Sequence, residues 1–442
     1  MARPRIFVSH SSRACADASC GCSGYLEAAL RLVEEAGCTP VSDRDVLAAG
    51  DAWHGVLMRE LGSCQGAVVL ISPHALSSHW VLEEAIVAAY LWEVTDGAFP
   101  VMPVALPGVR RRQLRGSKLE KVDLGRFDMA DWGTEDDPKA PPHRLRETLA
   151  RLAQRHGSLP YPRVTELIAD RVGALSPVVL TDVAELLGVT VLPQAPAHMG
   201  YVVSAGLLSE RPVAALGAHC AMRKALGRFL HLLKQEEHRQ EVVDVVVPFA
   251  RVPGLAAEQL NGLRGAGGGR TALLRARWPA TADMYVRRAS EHPRPWPLHK
   301  PVPRPGGGFV DGLVEEIHAF LVRELCYGMP CGAEDLRRIL ARQEEECGPV
   351  TIVLNAEPDQ ELVRRLTAAF PQLLFLFTSG GAPDGRAGPW MLLASLPPEQ
   401  ELDMVLTHRD FTPVPPAPSA GRGREPGRGR EPGRGGGVAF GT

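Results

Sequence analysis

"GAVVLISPHALSSHWVLEEA", residues 66–85, decides how the N-terminal part of the chain folds. Gly66 to Ser72 is apolar up to its final hydroxyl, as a strand buried on both faces of a parallel sheet must be, because neither face meets water. After Pro73 and a pair of serines, "SSHWVLEEAIVAAYLWE" (77–93) is too long and too continuously apolar for a strand and reads as a helix. Strand then helix is one β-α unit, and similar units flank it. "IFVS" (Ile6 to Ser9) leads into "YLEAALRLVEEAG", where Leu26, Ala29, Leu30 and Val33 recur at helical spacing until Gly37 stops the helix. "CTPVS" (38–42), the loop "DRDVLAAGD" (43–51) and the helix-like "WHGVLMREL" (53–61) form a further unit. "FPVMPVAL" (99–106) reads as another strand and "HRLRETLARLAQRHG" (143–157) as a closing helix. This alternation predicts a doubly wound α/β domain. Its right-handed crossovers put functional loops at the carboxyl ends of the strands, where Ser9, Asp43 and Ser72 fall.

Composition bounds what such a domain belongs to. A chain of 442 residues, 45% apolar, has room for two or three soluble domains with sizeable cores. A formal net charge of −2 gives no whole-protein attraction to nucleic acid or to an anionic membrane. No apolar run approaches the ~18–20 residues of a membrane span, and "MARPRIFVSHSS" turns polar too early for a secretory signal, so the cytoplasm is the expected compartment. Nine cysteines without paired spacings suit a reducing environment.

"IFVSHSS", "DRDVLAAGDAW" and "GAVVLISPHALSSHWVLEEA", in that order and at those separations, resemble the three boxes of a TIR (Toll/interleukin-1 receptor) domain of the prokaryotic type, over roughly residues 4–157. The resemblance implies a flavodoxin-like five-stranded parallel sheet in the order 2-1-3-4-5. It also implies cleavage of NAD+ as substrate, with no further cofactor and no metal, activated by self-association of TIR domains in antiphage immunity or signalling. The alternative from a different class is a TIR scaffold that pairs with other TIR domains and has no chemistry.

In NAD-cleaving TIR domains the helix after the third box strand carries a catalytic glutamate four residues beyond an aromatic that contacts nicotinamide, and Glu84 and Trp80 match those positions. Residues four apart share a helix face. Glu83 lies some 100° around the helix and is the weaker candidate. Taken without the family, Trp80 is a partly buried aromatic at a helix start and Glu84 an acid favoured by the helix dipole. Breaking the nicotinamide–ribose bond passes through an oxocarbenium-like transition state of the kind that glycosidases stabilise with two carboxylates. A pyridinium leaves neutral without a general acid, so one carboxylate suffices.

For the remaining candidate substrate-binding residues two readings stand. Ser9 and His10 line the expected cleft, or are a strand-end hydroxyl and a loop histidine; His10 is not expected to act as a base. Asp43 and Asp45 belong to the flexible loop that, by resemblance, gates TIR sites and mediates assembly, or they serve capping and turn formation. Ser72 ends its strand beside them. "RACADASCGCSG" (13–24) departs from the family pattern. Cys15, Cys20 and Cys22 fit no zinc spacing, so a surface insertion is the expected reading.

The chain is expected to divide into the TIR domain (1–157), a regulatory region helical and then α/β (158–300), a second α/β layer (301–412) that could share its domain, and a disordered Gly/Arg/Pro tail (413–442). The regulatory part would meet an unknown trigger ligand or protein. "EVVDVVVPFA" (241–250) and "TALLRAR" (271–277) read as strands, as do "PVTIVLN", "LLFLFTSG" and "WMLLASL". "GLRGAGGGRT" (262–271) has Arg270 where a phosphate-binding loop needs Lys, and leads into a strand. "LTDVAELLGVT" (180–190) resembles the start of a helix-turn-helix, but the prolines of "VLPQAPAHMG" and the lack of basic flanks speak against a recognition helix and against nucleic acid.

Overall fold

The computed structural model describes residues 3–11, 22–42, 53–132, 140–154, 162–209, 216–265, 269–290, 294–302, 308–329, 331–380 and 388–412. The first sheet comprises β1 (Arg5–Ser9), β2 (Thr39–Val41), β3 (Gly66–Ile71), β4 (Val101–Ala105) and β5 (Ala130–Asp131). Its strands are all parallel, in the order β2-β1-β3-β4-β5, which is the flavodoxin-like arrangement expected. Side-chain alternation sorts each central strand between two layers. Ile6, Val8, Val68 and Leu70 face α1 (Cys22–Glu35) and a C-terminal helix (His143–Gln154), burying Leu26, Val33, Leu145 and Leu149. Phe7, Val69 and Ile71 face the opposite layer, formed by α2 (Trp53–Gly62) and α3 (His79–Val94). Gly37, at φ +86°, ends α1 in the left-handed conformation that favours glycine. The helix His143–Gln154, α4, closes the domain.

Past the TIR-like part the chain is helical, with α5 (Pro162–Val172), α6 (Pro177–Leu186), α7 (Pro196–Leu208), α8 (Leu216–Phe229), α9 (Glu236–Arg251) and α10 (Gly254–Gly262). A second parallel sheet follows, built from β6 (Thr271–Arg275), β7 (Leu298–His299), β8 (Thr351–Leu354), β9 (Leu374–Ser379) and β10 (Met391–Leu392) in the order β10-β6-β9-β8-β7. Its helices are α11 (Thr281–Ser290), α12 (Phe309–Leu325), α13 (Ala333–Cys347), α14 (Gln360–Ala369) and α15 (Pro398–Phe411). Because β6 and β7 join β8 to β10, this layer begins at Thr271 and draws on residues before 301. The tail from 413 onward lies outside the described residues. Among the described residues no helix is long and apolar enough to cross a membrane, and no three His, Cys, Asp or Glu side chains are grouped so that they could hold a metal ion.

Two sequence expectations are corrected. The valine run 241–250 is not a strand but most of α9, with Val242, Val243, Val245, Val246, Val247 and Phe249 buried, Glu236 and Glu237 in the first turn and Arg251 in the last. Packing of an apolar helix outweighs the small intrinsic cost of valine there. The prolines of 191–200 do not prevent a helix either. Pro196 is the first residue of α7, where a missing N–H costs nothing. Every described side chain of α7 after Ala197 is buried, so this helix has no face to offer a DNA groove. Arg270 is structural: its Nη1 donates to Glu344 at 2.7 Å and to the Gln372 carbonyl at 2.9 Å, and β6 follows it directly.

α7 docks the helical region onto the TIR-like layer, and one continuous apolar core runs from Phe7 and Val69 through α3 and α7 to Leu274 and Leu376 in the second sheet. Two glycines make the approach close enough. Tyr201 of α7 fits against Gly62 of α2, and Tyr90 of α3 fits against Gly206 of α7, so that a Cβ on either glycine would strike the facing phenol oxygen. Helix propensity alone predicts that Gly206→Ala stabilises by about 1 kcal/mol. The clash with Tyr90 Oη reverses the sign, since overpacking costs about 1–3 kcal/mol. We expect Gly206→Ala to lower the melting temperature, and Tyr90→Phe to recover part of the loss, because the ring Cζ behind the oxygen would lie at an ordinary 3.6 Å. A melting temperature raised by Gly206→Ala would refute this account of the seat.

Candidate active site

The carboxyl ends of β1 and β3 are neighbours, with Ser9 in register with Val69, and the residues that follow them form one rim of the sheet. Ser9, His10 and Ser11 leave β1 and are buried. Ser72 leaves β3, and its Oγ accepts the Ala75 N–H at 3.1 Å, turning the chain through a short 3-10 turn at Ala75–Ser77. Ser78 then caps α3, its Oγ accepting from Val81 N at 3.3 Å. This capped start fixes where the first two turns of α3 lie over the strand ends.

Glu84 faces that rim from the second turn. Its Oε2 accepts a 2.5 Å hydrogen bond from Ser9 Oγ, across 75 residues of sequence, and the residue is 6% exposed. Hydroxyl-to-carboxylate bonds of this length are strong and orienting. Trp80 sits one turn earlier on the same face, half-buried, its ring 5.6 Å from the His79 ring at 55°. The structure thus brings Ser9, Glu84 and the first turn of α3 together. Ser72 shapes the adjoining loop, His10 is buried next to Ser9, and Asp43, Asp45 and the cysteines Cys15 and Cys20 lie outside the described residues; Cys22 opens α1.

Glu83 turns the other way. It is fully buried and receives Gln194 N at 2.8 Å, Ala195 N at 3.4 Å and His198 Nδ1 at 3.0 Å, with His79 Nε2 3.9 Å away. Burial alone would raise its pKa, but the His198 bond and the two backbone N–H groups outweigh that and hold the carboxyl below its ordinary value. A carboxylate can only accept, so His198 Nδ1 carries the proton. Sequence reading passed over this group, since its partners lie 111 to 115 residues away. The one local signal was Pro196, which marks where a helix with open N–H groups begins.

A carboxylate held at a rim of strand ends, with a tryptophan one turn away, can stabilise developing positive charge on a bound group whose flat leaving part stacks on the indole. Residues 6–139 match the family model of the TIR domain. No curated protein matches the chain. The strand order β2-β1-β3-β4-β5 and the matched span agree, and the N-terminal third of this chain is a TIR domain.

Proposed function

We propose that this TIR domain cleaves the nicotinamide–ribose bond of NAD+, with Glu84 as the catalytic carboxylate and Trp80 as the stacking platform for nicotinamide. The observation that carries the reading is the Ser9–Glu84 pair at the carboxyl ends of β1 and β3, one turn from Trp80. In the reaction the bond from ribose C1′ to the pyridinium nitrogen breaks and its electron pair stays with nitrogen, so nicotinamide leaves neutral. Glu84 stabilises the positive charge that develops on the ribose. Water adds at C1′ and releases a proton, giving ADP-ribose; capture by the substrate's own adenine would give a cyclic isomer instead. Ser9 holds the carboxylate in place before substrate arrives. The reading places the enzyme in the cytoplasm, as an effector in antiphage defence or signalling whose C-terminal region receives the trigger.

Incubating the purified full-length protein with NAD+ and resolving the products by chromatography tests the reaction and names the product. One observation favours the scaffold reading: the Glu84 carboxylate is largely enclosed and already satisfied by Ser9. The substitutions at Trp80 separate the two readings. Stacking needs a ring and not the indole N–H, so Trp80→Ala should impair nicotinamide release ~2- to 10-fold more than Trp80→Phe, given about 0.5–1.5 kcal/mol per aromatic contact. Equal rates for the two variants would return Trp80 to a packing role.

A further inference from the structure

α3 carries two adjacent acids with different partners. Glu84 meets Ser9 inside the TIR domain, whereas Glu83 reaches out of it to the start of α7. The Glu83 contact is built, not incidental. Both carboxylate oxygens accept from Gln194 N, Ala195 N adds a second backbone donor ahead of Pro196, and His198 Nδ1 completes the set from the first turn of α7. Glu83 and His198 are both closed to solvent. The first N–H groups of a helix have no partner of their own within it, and a negative charge there is favoured by the helix dipole. α7 itself packs against α2, α3, α5, α6 and α9, so whatever moves the C-terminal helices moves the group that holds Glu83.

We infer that Glu83 is the positioning residue of the Glu84 site: the carboxylate pins α3 to the start of α7, and so sets the rotation of α3 that places Glu84 against Ser9. The geometry gives the size of the effect. A side-chain carboxylate stands about 6 Å from a helix axis, so a rotation of ~10° carries it about 1 Å, and a displacement of 1 Å at a reacting centre costs on the order of 10²-fold in rate. The link also gives the C-terminal region a direct route to the site, through one hydrogen-bonded contact. The kinetic half of the inference rests on the NAD+ reading; the mechanical half does not.

The test uses the full-length chain, clustered on beads through an affinity tag, with NAD+ as the probe, and hydrogen exchange on the same proteins. Glu83→Gln puts an amide NH2 among N–H donors. His198→Leu removes the ring donor, and His198→Asn can put an amide NH2 near the Nδ1 position. The expected result is that Glu83→Gln and His198→Leu speed exchange at least 10-fold over both 79–86 and 194–199, while β3 and β8 stay protected. The same two variants should lower kcat at least 10-fold per folded molecule with KM within about threefold, and His198→Asn should recover most of what His198→Leu loses. Faster exchange confined to α7, or wild-type kcat in a protein whose α3 has loosened, would overturn the inference and leave Glu83 a packing contact. If Glu84→Gln proves as active as wild type, the NAD+ reading fails by itself. The pinning is then judged by exchange alone: speeding over both segments upholds it, and speeding over one overturns it. Should Glu83→Gln not fold, the pair His198→Leu and His198→Asn decides the same question.

Discussion

On the proposed reading, Glu84→Gln is expected to lower NAD+ cleavage by the clustered full-length protein at least ~100-fold, with little change in melting temperature. The substitution keeps the length and helix propensity of the side chain, and its amide oxygen can still accept from Ser9 Oγ, so the buried hydroxyl keeps a partner. What disappears is the negative charge. Pre-positioned charge at a developing cation is commonly worth about 3 to 4 kcal/mol, or ~10² to 10³ in rate, and more where water is excluded. The substitution opens no cavity, and stability should fall by no more than the ~1 kcal/mol typical of a single substitution. The check is product chromatography over a time course, beside a melting curve for each protein. Turnover near wild type in a folded Glu84→Gln protein would sink the mechanism.

The second large effect concerns concentration. If the domain cleaves NAD+, a site complete in the monomer would drain the NAD+ pool continuously, so the proposed reading implies that competence requires a neighbour. By resemblance, TIR sites are completed when another TIR domain packs against them. If the competent species is a dimer well below its dissociation constant, its fraction is proportional to total protein, so a hundredfold dilution lowers specific activity by about a hundredfold. Enforced clustering, on beads or through a fused dimeriser, should restore the rate with no change in sequence within the site. On that reading the face of α3 covered by α7 is not the assembly surface, and assembly would use other parts of the domain. Specific activity that stays constant on dilution and ignores clustering would show a site complete in one chain.

The TIR part was legible because each of its central strands is buried on both faces and therefore reads as an apolar run, while helical spacing and Gly37 mark what lies between. Trp80 and Glu84 were legible through the resemblance and through the rule that residues four apart share a face. The pairing of Ser9 with Glu84 was not, since nothing in either segment announces a partner 75 residues away. Ser9 was read either as lining the cleft or as a strand-end hydroxyl, and the structure ties it to Glu84. Glu83 was the weaker candidate because it lies some 100° around the helix from Glu84, and its destination depends on how α7 docks, a tertiary fact with no local pattern. The valine run of α9 shows the same limit. β-branched residues favour strands on average, yet with no neighbouring strand to pair with and apolar surroundings on most sides, the chain takes the conformation that satisfies its own backbone.

The unbroken core from Phe7 to Leu376 also determines how the molecule can be taken apart. Beads on a string melt one at a time, and each can be cloned alone. Here α3, from Val81 to Leu91, is covered in part by α7, more than a hundred positions later, and in part by the sheet and residues 118–122 of its own domain. A fragment ending near residue 157 would carry the part under α7 bare into water, where it would seek another greasy surface and aggregate. The TIR third and its cover are thus expected to melt as one calorimetric unit.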